Sequence, residues 1–79
     1  METFKTSGVC AKEIIFSIEN GIINNVQFIG GCNGNLKGIS NLIKGLDVHT
    51  VIEKLEGTEC GPRNTSCPDQ LAKALKQYI

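Results

Sequence analysis

Residues 13–29 read EIIFSIENGIINNVQFI, a pattern that predicts a β-hairpin. Apolar and polar side chains alternate before the turn, with Ile15 as an exception, and period-two alternation is typical of a half-buried strand. The dipeptide Asn20-Gly21 follows at once, and both residue types tolerate the positive φ angles of a type I′ turn. The run after the turn is rich in β-branched and aromatic residues, which favour strands. We therefore expect two antiparallel strands joined by a two-residue turn.

The sequence on either side of the hairpin adds a strand and three helices. Residues 3–6 predict a short third strand, and residues 30–35, GGCNGN, predict a tight loop because they are small or turn-forming. Apolar residues then recur at helical spacing in three segments. These residues are Leu36, Ile39, Leu42, Ile43 and Leu46, then Val48, Val51, Ile52 and Leu55, then Leu71, Leu75 and Tyr78.

Helix boundaries are marked by glycine, proline and capping signals. Gly45 fits the end of the first helix, and Asp47 is a good N-cap for the second. Pro68 fits the first position of the last helix, which would make Cys67 its N-cap residue. The predicted order is β-β-β-α-α-α. It gives a single α+β domain over residues 1–79, a three-stranded antiparallel sheet followed by three helices packed on one face, in two layers.

Composition limits the chain to a few classes of protein. Its 79 residues suit one domain with a marginal core, which a metal, a disulfide or a partner often supports. Eight basic residues balance eight acidic ones without like-charge blocks, so we expect no nucleic-acid or membrane partner. No secretory signal or membrane span is recognisable. We therefore expect a cytoplasmic protein. Thiols stay mostly reduced in the cytoplasm, so its four cysteines are more readily interpreted as metal-binding or redox-active than as disulfide-bonded.

The four cysteines are the candidate site residues. Cys10 precedes the hairpin, Cys32 lies in the glycine-rich loop, and Cys60 and Cys67 lie before the last helix. The intervals contain 21, 27 and 6 residues, so no CxxC pair is present and a zinc ribbon is disfavoured. A thiolate at a helix N-terminus is stabilised by the helix dipole, which favours a functional role for Cys32 and Cys67. A free cysteine is also an ordinary small hydrophobe, and that alternative stays open for each.

Other polar residues are weaker candidates. His49 is the one histidine in the sequence, and we expect it to be solvated near a helix start. Asp69 is expected to stabilise the positive end of the last helix. The loop at residues 30–35 matches no complete phosphate-binding motif, and no Ser/His/Asp set emerges. We therefore predict no catalytic residue and no site for an organic cofactor.

The segment Thr65-Ser66-Cys67-Pro68-Asp69 resembles the motif that gives the TSCPD domain family its name. Further features similar to its short members are Gly8-Val9-Cys10, Phe28-Ile29-Gly30-Gly31-Cys32-Asn33-Gly34-Asn35, Gly45, Cys60-Gly61 and Gln70-Leu71-Ala72. Related segments occur near the C-terminus of adenosylcobalamin-dependent ribonucleotide reductases. The resemblance implies a link to ribonucleotide reduction and nucleotide metabolism, with a reductase or another protein as partner. The chain is too short for a complete reductase, although it could carry that enzyme's name by homology.

The order of elements also resembles iron–sulfur cluster scaffolds of the NifU and IscU type. On that comparison Cys10, Cys32 and Cys67 match the three cluster cysteines of the scaffold. The scaffold has an aspartate after its first cysteine and a histidine before its last, where this chain has Ala11-Lys12 and Ser66. These departures and the additional cysteine, Cys60, suit a stable four-thiolate site, for zinc or for a cluster, better than a scaffold that transfers its cluster.

The sequence thus predicts a small metal-binding domain with Cys10, Cys32, Cys60 and Cys67 as ligands. Zinc is the first choice of metal and an iron–sulfur cluster the second, since four thiolates complete a tetrahedral zinc site. The alternatives are a thiol-redox protein that uses Cys60 and Cys67, a scaffold or carrier for iron–sulfur clusters, and an interaction domain with reduced cysteines. The sequence leaves open whether the chain takes part in catalysis. We expect a monomer or a weak homodimer.

Overall fold

The computed structural model describes residues 2–6, 9, 11–30, 33–59 and 65–78, and they form the predicted α+β architecture. Three strands come first: β1 (Glu2–Lys5), β2 (Ala11–Glu19) and β3 (Ile22–Gly30). Three helices follow: α1 (Asn33–Ile43), α2 (Val48–Leu55) and α3 (Cys67–Lys76). The strands form an antiparallel sheet in the order β1-β2-β3.

The hairpin between β2 and β3 has the predicted two-residue turn. Asn20 and Gly21 have φ angles of 54° and 77°, and both are positive, as a type I′ turn requires. The connection between α1 and α2 then pairs with the start of β3. Gly45 N donates to Ile23 O at 2.7 Å, and Ile23 N donates to Leu46 O at 2.9 Å. These bonds hold the start of α2 at the turn end of the sheet.

Two bulges decide which side chains of the sheet face the helices. The register of β2 contains one extra residue at Lys12, and an extra residue shifts the alternation of side chains by one position. Ala11 and Ile14 are therefore both buried although they are three positions apart. A second irregularity, in β3, has the same effect on Ile23 and Val26.

The main hydrophobic core lies between the sheet and the helices. Its buried members are Ile14, Phe16, Ile23 and Val26 from the sheet, and Ile43, Val48, Val51, Ile52, Leu71, Ala74 and Leu75 from the helices. α1 packs against β3, and α2 packs against α3. The predicted apolar stripe of α1 is wrong at Leu42, whose side chain is 78% exposed. Neighbouring positions on a helix point about 100° apart, and Ile43 is the residue that takes the buried direction.

Gly38→Ala is expected to stabilise the protein by about 0.5–1 kcal/mol, since alanine has the higher helix propensity and restricts the unfolded chain. Gly38 lies inside α1, and a Cβ built on it meets no heavy atom within 4 Å. Urea denaturation measures the change. Gly45→Ala adds the same methyl group at a φ of 89° and should destabilise by about 1 kcal/mol. A lower urea midpoint for Gly38→Ala would show that the position requires glycine.

Tyr78 should ionise at higher pH than a free tyrosine. Its ring packs edge-on against Phe16 with centroids 5.5 Å apart. Burial, and then the hydrogen bond and charge of Glu2, raise the pKa of Tyr78 above its ordinary value. The stability that this shift contributes is present below the unfolded-state pKa and is lost as the pH rises through the folded-state pKa.

A pH titration of tyrosinate absorbance tests this shift, because Tyr78 is the single tyrosine in a chain without tryptophan. Glu2→Gln removes the charge and should lower the midpoint. Glu13→Gln makes the same chemical change nearer the opposite end of β2, where Glu13 pairs with Lys5, and should leave the midpoint where it is. Equal midpoints for the wild type and Glu2→Gln would rule out the contribution of Glu2.

Candidate functional site

Cys67 is the predicted site residue that the structure describes, and it is buried, with 7% of its surface exposed. Its Sγ accepts a hydrogen bond from the backbone N–H of Ala11, with 3.4 Å between nitrogen and sulfur. The other three predicted ligands, Cys10, Cys32 and Cys60, lie outside the described residues. The convergence of all four sulfur atoms at one site therefore stays a prediction.

The surroundings of Cys67 form a second, smaller apolar cluster. Cys67, Ala11 and Leu36 are its buried members, and they come from the starts of α3, β2 and α1. Partly buried side chains of Val9, Phe28 and Ile39 pack around them. This small cluster lies at the open end of the hairpin, because Ala11 pairs with Gly30 at the ends of their strands farthest from the turn.

Helix α3 begins one residue earlier than the sequence predicts. Its N-cap is Ser66, whose Oγ accepts a hydrogen bond from the backbone N–H of Asp69 at 3.2 Å. Cys67 is therefore the first helical residue and Pro68 the second, which corrects the predicted N-cap role of Cys67. A hydroxyl oxygen accepts backbone N–H bonds better than a thiol does, so serine takes the cap position. Proline fits at the second position because that N–H has no partner inside the helix.

Ser66 also links α3 to the end of α2. Its Oγ donates a hydrogen bond to the backbone oxygen of Thr58 at 2.6 Å. The carboxylate of Asp69 makes a second link, because it accepts the backbone N–H of Gly57 at 2.8 Å and the hydroxyl of Thr65 at 2.5 Å. We call these five residues the polar clamp. The sequence predicted a role for Asp69 at its own helix start, but its carboxylate reaches across to the preceding segment.

Asp69 is a buried carboxylate, 2% exposed, whose ionised form the fold stabilises. Burial opposes ionisation, but hydrogen bonds from Thr65, Gly57 and Lys73 outweigh it and hold the pKa of Asp69 below its ordinary value. The ammonium group of Lys73 lies 3.0 Å from Oδ2. The stability gained is present above the ordinary carboxyl pKa and is lost as the pH falls through the folded-state pKa. Both carboxylate oxygens accept hydrogen bonds from within the fold, so the carboxylate serves to hold the start of α3 against the preceding segment.

His49 is exposed, as predicted, and lies at the other end of the sheet from Cys67. It is the second residue of α2, and the first residue, Val48, donates its N–H to Gly21 O at 2.8 Å in the hairpin turn. β2 has nine residues, and at about 3.3 Å per residue it separates the turn from Ala11 by roughly 25 Å. This distance therefore excludes His49 as a ligand of a metal site at Cys67.

Within the described residues, no group of three or more His, Cys, Asp and Glu side chains is arranged to hold a metal ion. Of the four predicted ligands, the described residues include Cys67 alone. None of the helices that the structure describes has the length and apolar character needed to cross a membrane.

A family model described as the TSCPD domain matches residues 2–79, a range that contains all four cysteines and the segment at residues 65–69. A search of curated proteins and a search of solved structures each found no match. The likeness to iron–sulfur scaffolds therefore stays a prediction from the sequence. The family match spans nearly the whole chain, so the protein belongs to the TSCPD domain family.

Proposed function

We propose that this protein is a small metal-binding domain whose ligands are Cys10, Cys32, Cys60 and Cys67, with zinc as the metal. The observation that carries the proposal is the N–H···S hydrogen bond between Ala11 and Cys67. Ligands of protein metal sites are oriented by hydrogen bonds from surrounding groups, and a sulfur that accepts a backbone N–H is prepared for that role. The donor of this bond is the residue directly after Cys10 in the sequence.

Chain connectivity supports the convergence of the other cysteines on this region. Cys32 lies between Gly30, which pairs with Ala11, and the start of α1, which contributes Leu36 to the small cluster. Cys60 follows Thr58 by two positions, and Thr58 is bonded to the residue directly before Cys67. Each cysteine is thus within a few residues of a described group that lies beside Cys67 or is bonded to its neighbour.

The chemistry of the donor set favours zinc or an iron–sulfur cluster. Soft thiolates select these metals, whereas calcium and magnesium require oxygen ligands. Four thiolates complete a tetrahedral zinc site and leave no open position, so the metal would be structural. An iron–sulfur cluster, which four cysteines also ligate, is the second candidate. The burial of Cys67 disfavours the thiol-redox alternative, because reactive cysteines are partly exposed.

The family suggests where such a domain would act. Through the resemblance to segments of ribonucleotide reductases, we assign it an accessory role in ribonucleotide reduction or nucleotide metabolism. Its partner would be a reductase or another protein in the cytoplasm, and the domain itself would be a monomer or a weak homodimer. The metal would support the fold that the partner recognises.

Metal analysis of protein purified without oxygen and without added metal tests the proposal. We expect about one zinc per chain without visible absorbance, which is the signature of a tetrathiolate zinc site. Iron with sulfide and visible absorbance would instead indicate the cluster. Each of the four Cys→Ser variants should contain less metal than the wild type. Unchanged metal content in all four variants would exclude the four-cysteine site, and an intact Cys60–Cys67 dithiol couple in metal-free Cys10→Ser would favour the redox alternative.

A further inference from the structure

We propose that Ser66 and Asp69 are positioning residues, which fix the Cys67 sulfur at the metal site through the polar clamp. This role rests on the proposed function, since Cys67 is there a metal ligand. The two residues lie on either side of Cys67 in the first turn of α3. Neither would touch the metal, and both would act by holding the backbone that carries the sulfur.

Ser66 joins the two segments with one hydroxyl group. Its Oγ accepts the N–H of Asp69 at 3.2 Å inside α3 and donates to Thr58 O at 2.6 Å after α2. The serine is itself buried, so water does not compete strongly for these bonds. Rotation of the first turn of α3 relative to α2 would break the bond to Thr58.

Asp69 joins the same two segments independently of Ser66. Its Oδ1 accepts from Gly57 N at 2.8 Å, and its Oδ2 accepts from Thr65 Oγ1 at 2.5 Å. The hydroxyl of Thr65 in turn accepts from Gln70 Nε2 at 3.1 Å. One side chain, that of Ser66, is enough to cap the N-terminus of α3. The additional bonds from Asp69 fix where the helix start lies.

The sulfur of Cys67 depends on this support, because its own hydrogen bond is weak. Within the described residues it accepts one N–H, with 3.4 Å between nitrogen and sulfur, and sulfur is a weak hydrogen-bond acceptor. The position of the sulfur is therefore set by the backbone of the first turn. Outer groups that orient metal ligands typically change metal affinity by roughly 10–100-fold when they are removed.

Zinc affinity, measured by competition with a chromophoric chelator, tests the proposal. Ser66→Ala and Asp69→Asn should each weaken zinc binding by about 10–100-fold. Ser66→Thr keeps a hydroxyl at the cap and should restore most of the affinity. Asp47→Asn is the matched control, because it makes the same change as Asp69→Asn at the N-cap of α2, at the turn end of the sheet. Its affinity should stay within about twofold of the wild type.

A double-mutant cycle separates positioning from general destabilisation. If Asp69 acts through Cys67, Asp69→Asn should have no further effect on zinc affinity in a Cys67→Ser background. An equal loss of affinity in the wild-type and Cys67→Ser backgrounds would overturn the proposal, because it would mean that Asp69 acts on the fold as a whole.

Alkylation of Cys67 by iodoacetamide, followed by mass spectrometry with zinc in excess, gives a second readout. Ser66→Ala and Asp69→Asn should each raise the labelling rate of Cys67 at least several-fold, while Asp47→Asn should not. If the variants label faster but the wild type binds no zinc, the polar clamp positions Cys67 and the metal function is excluded. Zinc binding by the wild type, with neither affinity nor labelling changed in the variants, would overturn the positioning role and leave the metal function intact.

Discussion

With zinc bound as we propose, its removal is expected to lower the melting temperature of this protein by about 10 °C or more. The reason is the small size of the domain, since a chain of 79 residues has a marginal hydrophobic core. Structural zinc sites contribute apparent binding free energies of about 10–16 kcal/mol, which are comparable with the entire stability of a small domain, about 5–15 kcal/mol. Circular dichroism during heating, with and without a strong chelator, measures the effect.

Zinc added back after chelation should restore the original melting temperature, whereas magnesium should not, because it prefers oxygen ligands. The size of the fall in melting temperature also depends on which elements of the fold the metal holds together. The proposed ligands flank the starts of β2, α1 and α3, so loss of metal would release three elements at once. An unchanged melting temperature, with zinc removal verified by elemental analysis, would mean that the core is sufficient by itself.

The elements of this fold could be predicted from the sequence because their signals are local. The hairpin depends on two adjacent residues, Asn20 and Gly21, whose positive φ angles are a property of the turn itself. Asp47 likewise caps α2 through the N–H groups of His49 and Thr50, two and three positions away. Such interactions are the same in any fold that contains the segment.

The features that the sequence did not predict depend on distant contacts. The extra residue at Lys12 follows from the pairing of β2 with β3, and no composition signal marks it. The cap of α3 was assigned one residue late because Pro68 was placed at the first helical position. Proline is tolerated throughout the first turn, so it marks a helix start without fixing its residue.

In the candidate site, too, local features could be predicted from the sequence and distant contacts could not. Cysteines at a loop and a helix start could be recognised from the sequence as candidate ligands. The bond between Ala11 and Cys67 could not, because it joins residues 56 positions apart. The clamp role of Asp69 was also missed, although an acidic residue three positions after a serine resembles the sequence pattern of a capping box. The missing information was the partner of its carboxylate, which is Gly57.

Leu75→Ala and Leu42→Ala make the same chemical change in two helices and should differ strongly in effect. Leu75 is fully buried in the main core, with 0% exposed, and its truncation should destabilise the protein by about 2–5 kcal/mol through lost burial and a residual cavity. Leu42 belongs to the same kind of predicted stripe but is 78% exposed, so its truncation should change stability by no more than about 0.5 kcal/mol.

Urea denaturation of both variants with zinc in excess keeps the metal contribution equal and isolates the packing. A loss of about 2–5 kcal/mol is a large part of the stability of a small domain, so the urea midpoint of Leu75→Ala should fall far below that of the wild type. Comparable losses for the two variants would mean that Leu42 is covered in solution. In that case, size-exclusion chromatography at increasing concentration would distinguish a homodimer that buries Leu42 from a monomer, because only dimer formation depends on concentration.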